Sequence, residues 1–141
     1  MDISLQQANT IIAAALRDAA ARGFKPLTVV VLDRGGHVKA VARQDGAANK
    51  RFEIAHGKAH GAISLGMGSR ALMNRAETQG YFIDAATQAI GSLVPVPGGV
   101  LVHDEDDTLI GAVGVSGDIS DNDEISAMAG IEAAGLKAVT G

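Results

Sequence analysis

The stretch Arg51–Leu65, RFEIAHGKAHGAISL, holds two of the four histidines of the chain and is the segment around which the fold is organised. On a helix with about 100° of rotation per residue, Glu53, His56 and His60 project within an arc of about 60° and so share one face. The adjoining arc is apolar and contains Phe52, Ala55, Ala59, Ala62 and Ile63. The pattern predicts a helix whose two imidazoles lie at the edge of the side that meets the core.

Two glycines, Gly57 and Gly61, lie on the other flank of this helix. Each glycine in a helix interior costs about 1 kcal/mol relative to alanine. Their presence indicates that something approaches the helix backbone closely at this point. A ligand and another subunit would both satisfy that requirement.

The segment before this helix predicts one helix and two strands. Ser4 and Gln7 have the spacing of a capping box, and Gly23 supplies a stop, so we expect a helix over residues 4–22. Residues 27–32 are continuously apolar, which is typical of a strand covered on both faces. After a turn, residues 37–43 alternate, and this places Val38, Ala40 and Ala42 on one side of a second strand. The two strands form a hairpin.

The segment after this helix begins with an alanine-rich helical region over residues 69–90, interrupted near Gly80. Two prolines make residues 94–99 a rigid loop rather than a central strand. Residues 100–103 and 109–116 predict a second hairpin around an acidic turn.

A last helix, capped by Ser120 or Asp121, is expected to end near Ala138. Its lining residues are Ile125, Met128, Ala129, Ile131 and Leu136. The order of elements favours one α+β domain over residues 1–141, with an antiparallel sheet flanked by helices.

Composition excludes several classes of protein. The chain has no cysteine and a net charge of −4, so disulfide frameworks, thiolate metal sites and general nucleic-acid binding are not expected. It has no apolar run of the ~20 residues that a membrane span needs, and no signal peptide is visible, so we expect a cytoplasmic protein. The abundance of alanine and glycine predicts close packing and a homo-oligomer.

Several motifs taken in order resemble the GlcG/HbpS family, which is also called the haem-degrading or DUF336 domain and includes the C-terminal domain of PduO. They are VVVLDRGGHVKAVARQDGA at 29–47, Lys58-Ala59, VPGGV at 96–100, IGAVGVSG at 110–117, and Asp123-Glu124. The resemblance covers nearly the whole chain. It implies a profilin-like α/β/α sandwich around a five-stranded antiparallel sheet, assembly into homo-oligomers, and, as in some members, haem binding.

The chain departs from the family at two places. One haem-binding member carries an acidic D/E-x-x-E motif near the second helix, where this chain has Glu53-Ile54-Ala55-His56. The first helix contains no histidine, although a histidine there is linked to haem in the PduO-like branch.

The main ligand hypothesis rests on His56 and His60. Either imidazole could ligate haem iron, or the two could hold a divalent metal with Glu53. They could equally form an edge packed on a neighbouring subunit, or hydrogen-bond to backbone groups. Lys58 lies on another side of the helix, where a salt bridge or a surface position is expected.

Two further groups could bind a carboxylate. The Arg43 guanidinium could clamp a substrate carboxylate, or cap a turn with Asp45. The backbone of Gly98 and Gly99 could hold a carboxylate or propionate, or simply form a sharp bend. The first functional hypothesis is therefore a small-ligand-binding protein for haem or another tetrapyrrole. The alternative is an enzyme of small-carboxylate or aromatic catabolism, with His60 or His56 for proton transfer or metal binding and Arg43 for the substrate.

Overall fold

The computed structural model describes all 141 residues, which form four helices and five strands. The helices are α1 (Leu5–Arg22), α2 (Arg51–Leu65), α3 (Ser69–Ile90) and α4 (Ser120–Ala133). The strands are β1 (Thr28–Asp33), β2 (Val38–Arg43), β3 (Gly99–His103), β4 (Leu109–Ser116) and β5 (Lys137–Val139). None of the helices combines the length and the apolar character that crossing a membrane requires.

The five strands form one antiparallel sheet in the order β2-β1-β4-β3-β5. Both predicted hairpins are confirmed, and β1 and β4 pair along their length to join them. The α+β class and the antiparallel sheet flanked by helices are therefore confirmed.

Helices cover both faces of the sheet, which explains why residues 29–32 of β1 are all apolar. Val29 and Val31 belong to a core cluster shared with α1 and α4, whereas Val30 and Leu32 belong to a cluster shared with α2. Adjacent residues of a strand point to opposite faces. The strand therefore supplies apolar side chains to both layers.

A β-bulge changes the predicted alternation of β2. The register shifts between Val31 and Leu32, which pair with Ala40 and Val38 respectively, so Lys39 is an extra residue. Ala40 and Ala42 contact the α1 and α4 side as predicted, but Val38 pairs with Leu32 of the α2-side cluster. The prediction that Val38 shares a face with Ala40 was wrong, because a bulge is invisible to simple alternation.

The predicted interruption of the third helix near Gly80 is present. Gln79 has φ −134° and ψ 51°, which is not helical, and Gly80 follows it. The two halves pack around a small cluster of Leu72, Ile83, Ala86 and Leu93.

The C-terminal segment corrects two predictions. The last helix ends at Ala133 rather than near Ala138, because Gly135 adopts φ +74° and leads into β5, which pairs with β3. The N-cap is Ile119, without a side-chain cap, instead of Ser120 or Asp121.

The buried face of α4 also differs from the predicted one. Of the residues expected to line it, Ile131 and Leu136 are buried, whereas Ile125, Met128 and Ala129 are half-buried. The face that packs inward carries small and acidic residues, namely Asp123, Glu124, Ser126, Ala127 and Gly130. Gly130 allows this packing, since a Cβ there would lie 2.5 Å from the Ile11 carbonyl oxygen of α1.

Candidate functional site

The helix α2 is seated directly on the sheet because small residues face each other there. Ala55, Ala59 and Ala62 are fully buried, and a Cβ at Gly114 of β4 would collide with the carbonyl oxygen of Ala55. The close approach fixes the height of α2 over the sheet. It therefore also fixes where the histidines project.

The space beside the two glycines of α2 is filled by another segment of the same chain. A Cβ at Gly57 would lie 2.6 Å from Val94 Cγ2, and a Cβ at Gly61 would lie 2.9 Å from Leu93 Cγ. The Val94 amide donates to the Gly57 carbonyl oxygen at 3.0 Å. The inference of a close approach was right, but the approaching group is the segment 92–94 rather than a ligand or another subunit.

The two histidines of α2 form a stacked pair at the surface end of this packing. Their ring centroids are 5.3 Å apart with an interplanar angle of 18°, and Phe52 lies next in line, 5.8 Å from His56. Both imidazoles are half-buried. The prediction that they share one face is confirmed.

One residue, Ser92, anchors both rings. His60 Nδ1 lies 2.8 Å from the Ser92 carbonyl oxygen, and His56 Nδ1 lies 3.2 Å from the Ser92 hydroxyl. A carbonyl oxygen can only accept, so in the neutral form of His60 the proton lies on Nδ1 and Nε2 carries the lone pair. The Ser92 hydroxyl can donate or accept, and so it leaves the tautomer of His56 open. Sequence reasoning missed Ser92, which lies far from α2 along the chain.

The environment of the stacked histidine pair favours the neutral form of the His56 imidazole. Burial, and secondly the charge of His60, lower the pKa of His56 below its ordinary value. A neutral imidazole keeps a lone pair available for a metal at neutral pH.

Glu53 does not join the histidines in a metal-binding group. Its side chain is exposed and lies 3.4 Å from Lys50 Nζ. The structure contains no group of three or more His, Cys, Asp or Glu side chains that could hold a metal ion. The divalent-metal alternative with Glu53, His56 and His60 as ligands therefore has no structural support.

Arg43 lies at the end of β2, exposed to solvent. Neither Arg43 nor Asp45 takes part in an ion pair, so the expected capping contact between them is absent. Arg43 makes no side-chain hydrogen bond either, and its guanidinium is free.

Gly98 and Gly99 allow α2 to pack closely against the chain at the start of β3. Both are buried, and a Cβ at either position would collide with atoms of Lys58. The Gly99 amide already donates to Ser69 Oγ at 2.7 Å, and the Gly98 carbonyl accepts from Val115. The geometry gives no support to these glycines as a propionate site in the single chain, since the Gly99 amide is not free.

The sequence predicted either a salt bridge or a surface position for Lys58. The structure shows a salt bridge, and it is fully buried. Lys58 Nζ donates to an Asp123 carboxylate oxygen and to the Val115 carbonyl oxygen, both at 2.9 Å. Burial lowers the pKa of Lys58 and raises that of Asp123, while the attraction within the pair opposes both shifts. The pair closes the side of α2 away from the histidines.

The histidine surface is open rather than enclosed. The molecule has four cavities, of about 300, 290, 320 and 390 Å³, and none includes a residue of α2. A ligand that binds His56 or His60 would therefore rest against a surface.

Comparison with known proteins gives consistent results. Residues 3–132 match the model of the family described as "Haem degrading protein HbpS-like". No curated protein matches the chain in sequence at a significant level.

Three solved structures are similar over most of their length. Klebsiella pneumoniae ORFY, a DUF336 protein, shares 27% identity with a TM-score of 0.83, covering 94% of this chain and 90% of that one. A double mutant of Streptomyces reticuli HbpS shares 28% identity with a TM-score of 0.79, covering 94% and 86%. PduOC in complex with haem shares 24% identity, which supports the fold alone, with a TM-score of 0.85, covering 96% and 97%.

The family match spans nearly all of the chain, and the two solved relatives above 25% identity share its fold over 94% of its length. The sequence motifs that suggested the GlcG/HbpS family lie within the matched residues. This chain therefore belongs to the HbpS-like family of haem-degrading proteins.

Proposed function

We propose that this chain binds haem or another tetrapyrrole, with His60 or His56 as the axial ligand. The observation that carries the proposal is the fixed tautomer of His60, whose Nδ1 proton is held by the Ser92 carbonyl at 2.8 Å. Ligating histidines commonly donate their second ring N–H to such a carbonyl, which orients the ring and raises its basicity. His60 Nε2 is then the preferred ligand atom.

The donors present fit a haem iron better than a bare metal ion. A haem needs only one or two axial ligands from the protein, because the macrocycle supplies the other four. A bare divalent ion needs three or more side chains, and the structure does not assemble them. When bound, haem iron would supply ligand binding and electron transfer, while His60 would hold it and Phe52 would offer an apolar contact.

The family supports the same ligand class. HbpS-like proteins are described as haem-degrading, and the PduOC structure is described as a haem complex. The open position of the histidines also supports assembly into a homo-oligomer, since a second copy would exclude water from a haem on this surface. We include that assembly in the proposal.

The experiment is a visible-absorbance titration of the purified protein with hemin. We expect saturable binding with a Soret shift in the wild type, loss of the shift in His60→Ala, and a smaller effect in His56→Ala. His103→Ala is the matched control, because that histidine lies at the end of β3 and bonds the Asp107 carbonyl. A spectrum unchanged in both α2 variants would reject these ligands.

The enzymatic alternative requires His60 and Arg43 to act on one small substrate, and their positions do not favour this. His60 lies beside Gly36 in the turn between β1 and β2, whereas Arg43 is at the far end of β2. At about 3.3 Å per residue, the two ends of β2 are about 16 Å apart. That separation suits a ligand larger than a simple carboxylate.

A further inference from the structure

The edge strand β2 leaves one face uncovered beside α2. Val41 pairs with Val30 and Val38 pairs with Leu32, and both partners belong to the α2-side cluster. Cross-strand partners share a face, so Val38 and Val41 lie on the same side of the sheet as α2. They remain 49% and 40% exposed, because α2 packs over β1, β4 and β3.

The side of α2 that faces this strand carries the histidines. Lys58 reaches towards β3 and α4, so the opposite flank of the helix faces β2. A Cβ at Gly36 of the β1–β2 turn would lie 3.4 Å from the His60 ring, which confirms that orientation. We call the open strip of surface between the two elements, which none of the four cavities includes, the α2–β2 groove; it is lined by Val38, Val41, Phe52, His56 and His60.

The two ends of the groove differ in chemistry. One end holds His60 near Gly36, and the other holds the free guanidinium of Arg43, which shares its face with Val41 two residues earlier. Arg43 pairs across the sheet with Thr28, whose buried hydroxyl has no hydrogen-bond partner, and Thr28 pairs with Ser116. The Arg51 guanidinium reaches Ser116 Oγ at 3.0 Å. This end is therefore cationic and polar.

The dimensions suit one extended ligand. Along the axis of α2, Arg51 and His60 are separated by about 13 Å at 1.5 Å per residue. The groove has an apolar floor, an imidazole at one end and an arginine at the other. These features would suit a planar apolar molecule that bears a metal, which the imidazole could bind, and carboxylates, which the arginine could bind. Arginine binds carboxylates bidentately and keeps its charge at all physiological pH values.

We propose that the α2–β2 groove is the tetrapyrrole site and that Arg43 holds a carboxylate of the ligand, so that the chain selects tetrapyrroles with free carboxylates. This inference rests on the proposed function. It assigns Arg43 as a specificity residue and predicts that an esterified ligand loses the contact.

The test compares hemin with hemin dimethyl ester, both in the same mild detergent. The protein variants are Arg43→Ala, Arg43→Lys and Val41→Glu. The matched controls are Arg17→Ala, an exposed arginine on α1, and Val139→Glu, which lies 37% exposed on the other edge strand. Circular dichroism verifies that each variant is folded.

We expect Arg43→Ala to weaken hemin binding about tenfold, equivalent to about 1.4 kcal/mol. Its Soret wavelength should be unchanged, because the axial ligand is intact. Arg43→Lys should recover part of the affinity, and the ester should bind the wild type and Arg43→Ala alike. Val41→Glu should weaken both ligands, while the two controls should match the wild type.

The outcomes separate this inference from the proposed function. Hemin binding that is unchanged in Arg43→Ala and Val41→Glu overturns the groove but leaves haem binding by α2 standing. A loss in Val41→Glu alone overturns the role of Arg43. A wild-type protein that shows no saturable binding of hemin overturns the proposed function and this inference together.

Discussion

Lys58 Nζ and the Asp123 carboxylate meet at 2.9 Å with both side chains at most 2% exposed, which joins α2 to α4 past the end of β4. Each partner makes one further hydrogen bond. Lys58 Nζ also donates to the Val115 carbonyl oxygen, and the second Asp123 carboxylate oxygen accepts a hydrogen bond from the Asp118 amide at 2.9 Å. The pair links the helical layers on the two faces of the sheet. It holds the N-terminus of α4 against the helix that carries the histidines.

Removing one partner of this pair should destabilise the protein strongly. In Lys58→Met or Asp123→Leu, the remaining group is left buried without its partner, which typically costs about 3–5 kcal/mol. Urea denaturation of each variant measures the change in the free energy of unfolding.

The double variant Lys58→Met/Asp123→Leu provides the control. It leaves no isolated charge, so we expect it to be more stable than either single variant. Losses that simply add in the double variant would contradict a coupled ion pair.

Replacing Gly114 should show how tightly α2 sits on the sheet. A Cβ there meets the Ala55 backbone, which cannot move aside as a side chain can, so we expect Gly114→Ala to lose about 1–3 kcal/mol or more. Gly80→Ala is the matched control, since nothing lies within 4 Å of its Cβ. It should be neutral or stabilising by up to about 1 kcal/mol. Thermal unfolding followed by circular dichroism compares the two, and equal melting temperatures would argue against the close contact.

Local patterns predicted most of the fold because most of it is locally determined. The apolar run at residues 29–32 of β1 and the capping box at Ser4 are each visible in the local sequence, and both are found in the structure. Two features have no such signal. The β2 bulge depends on pairing with β1, and β5 is a short strand, Lys137–Val139, that the helical pattern ahead of it masks.

The candidate site was predictable only on its own helix. Helical spacing places His56 and His60 together, but the group that fixes them, Ser92, arrives from a distant segment. The buried partner of Lys58 is likewise on α4. An alternation rule also places Val38 on the wrong face, which hides the groove beside α2. Long-range contacts of this kind follow from tertiary packing rather than from sequence spacing.

Asp118 should contribute stability that depends on pH. Its carboxylate accepts hydrogen bonds from the Lys25 and Ile119 amides, both at 2.7 Å, and from Asn122 at 2.8 Å, and these bonds lower its pKa. Because the folded-state pKa is depressed, this contribution is present above the ordinary aspartate pKa and disappears as the pH falls through the folded-state value.

We therefore expect Asp118→Asn to lose on the order of 1 kcal/mol at pH 6, allowing for solvent screening, and much less at pH 3. Urea denaturation at several pH values measures the difference. Asp106→Asn, on an exposed turn, is the control and should show little change at either pH. A loss for Asp118→Asn that is the same at both pH values would exclude the carboxylate as its source.

Ser92→Ala should distinguish the two candidate axial ligands. The substitution removes the hydroxyl at 3.2 Å from His56 Nδ1 but leaves the backbone carbonyl that holds His60 at 2.8 Å. Loss of a hydrogen bond that orients a ligating histidine typically costs about 10–100-fold in affinity. If His60 binds the iron, hemin affinity and the Soret wavelength of Ser92→Ala should stay close to those of the wild type. A loss within that range would instead assign His56. Ser64→Ala, on the exposed side of α2, is the matched control, and a hemin titration of the three proteins decides between the two rings.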